Sequence, residues 1–166
     1  MVGGLLTGLC VVLAGLMLVP AALGLQRYVI VGDSMGGAYA RGSLVLEEVV
    51  PTTELERGDV ITYDPPAGTG PAGVVTHRIV RISEPVAGRL VFQTKGDANR
   101  TSDPWKFTLG PTQARAVLAI PLVGYVYAGL SERWVRMVAI GLPALLLGGW
   151  AALRLWREDE PEPAAA

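Results

Sequence analysis

Two long apolar segments, one at each end of the sequence, constrain the fold most. Residues 1–25 carry no charged side chain and are long enough to cross a bilayer core of roughly 30 Å. A second segment, 134–156, is uncharged over 137–153 and has tryptophans near its ends, where indole rings favour the membrane–water interface. We therefore predict two membrane-spanning helices that tether the residues between them.

A cleavable signal peptide is the alternative for the first segment, since small residues at 21–24 could form its exit. The segment lacks a basic start, and its apolar run exceeds that of a typical signal peptide, so a spanning helix is favoured. Arginines flank the second segment on both sides, and the positive-inside rule therefore does not decide orientation. The charged, proline-rich tail, 157–166, is predicted to be disordered.

Composition excludes several kinds of site. The net charge of −1 gives no electrostatic case for a nucleic-acid partner. The lone cysteine, Cys10, excludes an intramolecular disulfide and a cysteine metal cage. One histidine also makes a histidine-rich zinc site improbable, and we predict no cofactor.

The residues between the apolar segments, 26–133, are predicted to form a small, mostly β domain. Val75, His77 and Ile79 alternate with more polar neighbours, which is strand periodicity. The predicted strands are 43–50, 60–63, 74–82, 89–95 and 114–120. The glycine- and proline-rich stretch 67–73 is predicted to be a flexible loop. No amphipathic helix is predicted in this domain.

Three separate parts of this domain carry the side chains of an activated hydroxyl nucleophile: Ser34, His77 and an aspartate, either Asp97 or Asp103. A neutral imidazole can take the serine proton near neutral pH, and a carboxylate can hold the ring in the required tautomer. Each residue also has a simpler interpretation. Ser34 could be an ordinary turn residue, His77 a core histidine, and Asp97 the cap of its own glycine-containing turn.

Other chemistry and other classes of protein stay open at this point. Lys95 could replace His77 as the base if burial lowered its pKa. A membrane-anchored β-module that binds exported chains would need no catalysis at all. In the enzymatic interpretation the backbone N–H of Ser34 is the predicted oxyanion donor.

Five short segments in a fixed order carry a family resemblance. They are residues 32–35, 42–63, 75–80, 94–105 and 120–125. Together they span about 28–127 and resemble the type I signal peptidases, in the branch shared by archaea, the endoplasmic reticulum complex and some Gram-positive bacteria. In the mainstream bacterial enzymes a lysine is the base, whereas the matching segment here contains His77.

The resemblance implies a membrane-bound serine endopeptidase that removes signal peptides from exported preproteins after small residues. It implies Ser34 as nucleophile, His77 as general base and the second aspartate, Asp103, as the residue that orients the base. Gly32, Asp33 and Met35 are then the substrate-binding and oxyanion residues next to the nucleophile. It also implies that both termini are cytoplasmic and that 26–133 lies on the extracytoplasmic face.

Two local features refine this expectation. The family commonly has Met-x-Pro after the serine, whereas Gly36 and Gly37 follow Met35 here, which predicts a looser segment beside the nucleophile. A glycosylation sequon begins at Asn99 within the aspartate segment. A glycan there would obstruct the site, which favours a prokaryotic membrane.

Overall fold

The computed structural model of the chain describes residues 2–70, 73–86 and 88–158. The helices are α1 (Val2–Ala22), α2 (Val123–Ser131), α3 (Arg133–Arg136) and α4 (Leu142–Glu158), with a π-helical turn, Met137–Gly141, before α4 and a short 3-10 turn, Thr52–Glu54. The strands are β1 (Gln26–Val29), β2 (Leu44–Pro51), β3 (Val60–Tyr63), β4 (Val75–Val86), β5 (Arg89–Lys95), β6 (Phe107–Thr108) and β7 (Thr112–Ile120).

The seven strands form one antiparallel sheet in the order β1-β2-β7-β3-β4-β5-β6. The mostly β prediction is therefore confirmed, and each of the five predicted strands is present. Strand β7 returns between β2 and β3, so the sheet joins segments that are distant in the sequence. Strands β1 and β6 were not separately predicted, since four and two residues are too few to establish an alternation.

Strand β4 shows why the alternation in the sequence is informative. Val75, His77 and Ile79 are buried, while the residues between them are partly exposed. The register pairs His77 with Ile61 on β3 and Ile79 with Thr94 on β5, so all of these side chains share one face. The same face therefore carries both apolar core residues and the one histidine.

The core of the sheet lies on this face and is rich in aromatic rings. Tyr63 stacks on Phe107 with ring centroids 4.2 Å apart, and Phe92 lies 6.4 Å from Phe107. Phe92 is fully buried, and burying such a ring contributes about 1.5–3 kcal/mol to folding. The packing holds β3, β5 and β6 in fixed relative positions.

Helix α2 lies within 26–133 and is apolar, so it does not contradict the prediction that this domain contains no amphipathic helix. It has nine residues and no charged side chain, so an amphipathic pattern could not reveal it. Its first turn lies directly on the backbone before β2: a Cβ on Gly124 would lie 2.6 Å from the carbonyl oxygen of Gly42. Gly42 in turn has a φ of 83° and contacts the ring of Tyr125. Tertiary contact, rather than periodicity, stabilises this helix.

The prediction of two spanning helices is supported only in part. Both predicted segments are helical, and the helical stretch Arg133–Arg154 is long and apolar enough, with a mean hydropathy of 1.6, to cross a membrane. In the first segment the uninterrupted apolar stretch among the described residues is shorter, Cys10–Ala22. The contacts divide the chain into a sheet-bearing unit, Leu18–Ala128, and a unit made of Met1–Met17 with Gly129–Ala166. The predicted disordered tail lies outside the described residues from 159 onward.

Candidate active site

Three segments of the sheet-bearing unit bring Ser34, His77 and Asp103 into one hydrogen-bonded series. Ser34 lies in the turn region after β1, His77 on β4, and Asp103 in the connection between β5 and β6. The Oγ of Ser34 is 3.0 Å from Nε2 of His77, and Nδ1 of His77 is 2.7 Å from Oδ2 of Asp103. These distances are within the range for a nucleophile, its base and the group that orients the base.

The chemistry of these side chains determines where the proton lies. An ionised carboxylate only accepts, so the short contact with Asp103 requires that Nδ1 of His77 donate. In the neutral ring Nε2 is then an acceptor directed at the hydroxyl of Ser34. His77 and Asp103 are each 5% exposed, whereas Ser34 is half-buried. His77 is thus buried on a core face of the sheet and is also bonded through both ring nitrogens.

The Ser34 turn is held from several sides despite its glycines. The N–H of Gly36 donates to Asp33 O at 2.9 Å, and the N–H of Ala98 donates to Ser34 O at 2.9 Å. Met35 is 1% exposed, so its side chain anchors the turn in the core. Gly37 has a φ of 101°, a conformation that only glycine adopts readily. The segment that was predicted to be loose is therefore well connected.

Asp97 has a different partner from Asp103. Its two carboxylate oxygens accept hydrogen bonds from Arg78 at 2.8 and 2.6 Å. The hydrogen bonds that Arg78 donates to Asp97 raise the pKa of Arg78, which keeps this guanidinium charged. The N–H of Asp97 also points at the sulfur of Met35, 3.5 Å away. Asp97 therefore ties its loop to β4 and to the Ser34 turn, while Asp103 contacts the imidazole.

Gly96 makes the closest backbone approach in the site. A Cβ at this position would lie 2.6 Å from Ser34 O, 2.8 Å from Nδ2 of Asn99 and 3.0 Å from Nε2 of His77. Only a residue without a side chain lets the aspartate loop lie against both the nucleophile and the base. Gly96 belongs to the predicted aspartate segment, but the sequence alone indicated a turn there and no contact with His77.

Lys95 lies on the other face of β5. The register places it opposite Arg78, while its neighbour Thr94 is opposite Ile79 on the face of His77. Successive side chains of a strand point to opposite faces, so Lys95 is directed away from the Ser34–His77 contact. No hydrogen bond or ion pair joins it to Ser34 in the described chain.

The remaining predicted residues lie at the surface beside the nucleophile. Gly32 and Asp33 are exposed, and Asp33 is only 4.0 Å from Arg41 in a loose ion pair. Among residues 2–70, 73–86 and 88–158, none accepts a hydrogen bond from the N–H of Ser34, which leaves it available to a developing oxyanion. A cleft of about 680 Å³ is lined by residues such as Tyr63 and Phe107, and Ser34 does not line it. Cavity size alone would therefore not locate this site.

Sequence reasoning missed the residues that support Asp103. Thr94 donates to Oδ2 of Asp103 at 2.6 Å, and its carbonyl oxygen accepts from the N–H of Asp103 at 2.9 Å. Gln93 donates to Asp103 O at 3.0 Å. The only signal available was that alternation along β5 places Thr94 on the same face as Phe92.

Comparison with known proteins points to the family indicated by the motifs. No family model matches the chain. Signal peptidase I W of Bacillus subtilis (strain 168) is 40% identical over 85 residues, which cover 51% of this chain and 42% of that protein. The chain therefore spans less than half the length of this relative. This similarity to signal peptidase I W confirms the resemblance to the type I signal peptidases.

Proposed function

We propose that this chain is a membrane-bound serine endopeptidase that removes signal peptides from exported preproteins. The observation that carries the proposal is the uninterrupted series from Ser34 Oγ through His77 to Asp103, at 3.0 and 2.7 Å. A half-buried hydroxyl beside a buried, correctly oriented imidazole is what an acyl transfer needs. The similarity to signal peptidase I W supports the choice of substrate class.

In the first half of the reaction, Ser34 Oγ attacks the carbonyl carbon of the scissile peptide while His77 Nε2 takes the hydroxyl proton. The resulting imidazolium is stabilised by the carboxylate of Asp103 through Nδ1–H. The carbonyl oxygen becomes an oxyanion, and the backbone N–H of Ser34 is the donor available to it. Collapse of this intermediate breaks the C–N bond, and His77 gives its proton to the leaving amine.

In the second half, water replaces the departed chain and His77 accepts a proton from it. The hydroxide attacks the acyl carbon, and the C–O bond to Ser34 breaks. The proton on Nε2 then returns to Ser34 Oγ, so the site ends in its starting state. Asp103 stays ionised throughout, because its role is to orient and stabilise the ring.

The apolar helices would determine where the enzyme meets its substrate. We place the helical stretch Arg133–Arg154 across the bilayer, and α1 as a second span, since 21 residues at about 1.5 Å each reach about 30 Å. Both termini would be cytoplasmic and the sheet-bearing unit extracytoplasmic, as the family resemblance implies. Membrane-held signal peptides would then reach Ser34 from the bilayer side in extended form.

The alternatives receive less support from the geometry. A Ser34–Lys95 dyad would need Lys95 on the face of Thr94, and the register puts it on the other face. A β-module that only binds exported chains would not need a serine, a histidine and an aspartate within hydrogen-bonding distance of one another. We therefore favour the Ser34–His77 enzyme.

Cleavage of a preprotein by the full-length protein in detergent micelles tests the proposal. Wild-type protein should release the mature chain, and Ser34→Ala should lose activity and keep its melting temperature. His77→Ala should also lose activity, with a lower melting temperature because it leaves the buried carboxylate of Asp103 without this donor. Lys95→Ala should retain most activity. Ser83→Ala is the matched control for Ser34→Ala, because it makes the same replacement in the sheet far from the nucleophile, and it should keep wild-type activity. Loss of activity in Lys95→Ala equal to that in Ser34→Ala, with the fold intact, would instead support the lysine dyad.

A further inference from the structure

A chain of buried donors leads from the aromatic core to the carboxylate of Asp103. The indole nitrogen of Trp105 is 3.2 Å from the hydroxyl of Tyr63, which is 2.7 Å from Thr94 Oγ1, which is 2.6 Å from Asp103 Oδ2. Thr94 is 0% exposed and Tyr63 is 4% exposed. Neither hydroxyl is needed by the mechanism above.

The direction of these hydrogen bonds follows from the chemistry at the two ends. Indole N–H can only donate, so the oxygen of Tyr63 accepts from Trp105. An ionised carboxylate can only accept, so the hydroxyl proton of Thr94 points at Asp103. Thr94 has one proton, and its oxygen must therefore accept the proton of Tyr63. All three protons point towards Asp103.

The ring packing keeps this chain in place. Tyr63 stacks on Phe107, with 9° between the ring planes, which fixes the position of its hydroxyl. Burial, the largest cause, raises the pKa of Tyr63 above its ordinary value of 10.0, so the phenol stays protonated and can donate. The contact with Trp105 gives the segment after Asp103 a fixed attachment to β3.

The donors meet at the atom that orients the base. Oδ2 of Asp103 accepts from Thr94 and from Nδ1 of His77 at the same time. Two donors in different directions define the position of this oxygen, whereas the imidazole alone would leave the carboxylate free to rotate with the ring. Leaving the oxygens of a buried carboxylate without donors would also cost folding free energy.

We propose that Thr94, backed by Tyr63 and Trp105, is a positioning residue that holds Asp103 in the orientation in which it fixes the tautomer of His77. The expected effect on kcat rests on the proposed peptidase function, whereas the expected effect on the tautomer of His77 rests on geometry alone. It assigns a role in turnover to a hydroxyl that touches neither substrate nor the reacting atoms.

The kinetic test compares variants that keep shape and remove single hydroxyls. Thr94→Val should lower kcat of preprotein cleavage about 10- to 100-fold with little change in KM, because a hydrogen bond to a charged group is lost. Thr94→Ser keeps the hydroxyl and should restore most of kcat. Tyr63→Phe keeps the ring stack and should lower kcat about 3- to 10-fold. Thr108→Val, on the exposed side of β6, is the matched control and should match wild type.

A double variant separates positioning from general support of the fold. If Thr94 acts through Asp103, then Thr94→Val should have no further effect on kcat in an Asp103→Ala background, which lacks the carboxylate that Thr94 positions. Equal losses of kcat in both backgrounds would overturn the proposal. So would a Thr94→Val protein with kcat within about two-fold of wild type.

The lone histidine allows a test that does not depend on activity. In protein labelled at histidine, the two ring-nitrogen resonances report the tautomer of His77 directly. Wild type and Thr108→Val should show the Nδ1–H form, while Thr94→Val should show a mixed population and an Nδ1 proton that exchanges faster with water. An unchanged spectrum in Thr94→Val would refute the positioning role. If Thr94→Val does not fold, an unchanged spectrum in Tyr63→Phe would refute it instead. If wild type cleaved no preprotein, the proposed function would fail and this spectrum would still decide the inference.

Discussion

Asp103→Asn removes the charge beside His77 and keeps the shape of the side chain. Asp103 Oδ2 accepts from His77 at 2.7 Å and from Thr94 at 2.6 Å, and the residue is 5% exposed. An amide can present its oxygen to the same two donors, so the variant should fold. A neutral amide does not stabilise an imidazolium, and its N–H₂ group can favour the wrong tautomer of the ring.

The expected loss is large and confined to turnover. We expect kcat to fall about 10⁴-fold, as analogous changes in serine triads do. At about 1.36 kcal/mol for each factor of ten, this is about 5.4 kcal/mol of transition-state stabilisation. KM for the preprotein should change little, because Asp103 lies behind His77 and away from the exposed side of Ser34. Steady-state cleavage by the purified full-length protein measures both quantities.

Asp97→Asn is the matched comparison, because it makes the same chemical change in the same loop. It breaks a two-point ion pair with Arg78 whose side chains are 33% and 20% exposed. Partial exposure limits its contribution to about 1 kcal/mol of unfolding free energy, or about 4 °C in Tm. We expect kcat to fall less than about ten-fold, since no contact with His77 is lost. A larger loss of turnover in Asp97→Asn than in Asp103→Asn would refute this reasoning and assign the orienting role to Asp97.

Three further predictions follow from single observations. Gly96→Ala should lower kcat/KM at least about 100-fold, because its Cβ would lie 2.6 Å from Ser34 O. Gly110→Ala, where the added Cβ has room, is the control and should keep wild-type activity. Full activity in Gly96→Ala would contradict the packing. Burial raises the pKa of Glu47 from 4.5 to about 7, so the folded state binds its proton more tightly and the free energy of unfolding should fall by up to roughly 3 kcal/mol as pH rises through this range. Denaturant titrations of Glu47→Gln between about pH 5 and about pH 8 should show this slope removed, and an unchanged slope would exclude Glu47 as its source. Finally, the family resemblance predicts alanine-like residues at the first and third positions before the cut, and efficient cleavage after leucine or phenylalanine would argue against it.

The sequence alone determined the parts of this protein that depend on local pattern. The alternation around His77 predicted a strand and left a core position for the histidine open; the structure buries His77 with Val75 and Ile79, because side chains two residues apart share a face. The order of short motifs indicated the family, and Ser34, His77 and two candidate aspartates were named from residue chemistry. Long uncharged runs predicted helices at both ends, and both are helical.

Tertiary structure decided what depends on contacts between distant segments. Asp97 and Asp103 are the same residue type six positions apart, and only the packing of their loop shows that one meets Arg78 and the other His77. Helix α2 has no periodic pattern and depends on the close approach of Gly124 to the backbone before β2. The support of Asp103 by Thr94 and Tyr63 joins β3, β5 and the loop after it, and hydrogen bonds across such sequence distances have no local signature. Pattern reports which face a side chain occupies, while the position of that face relative to another strand is set by register and packing.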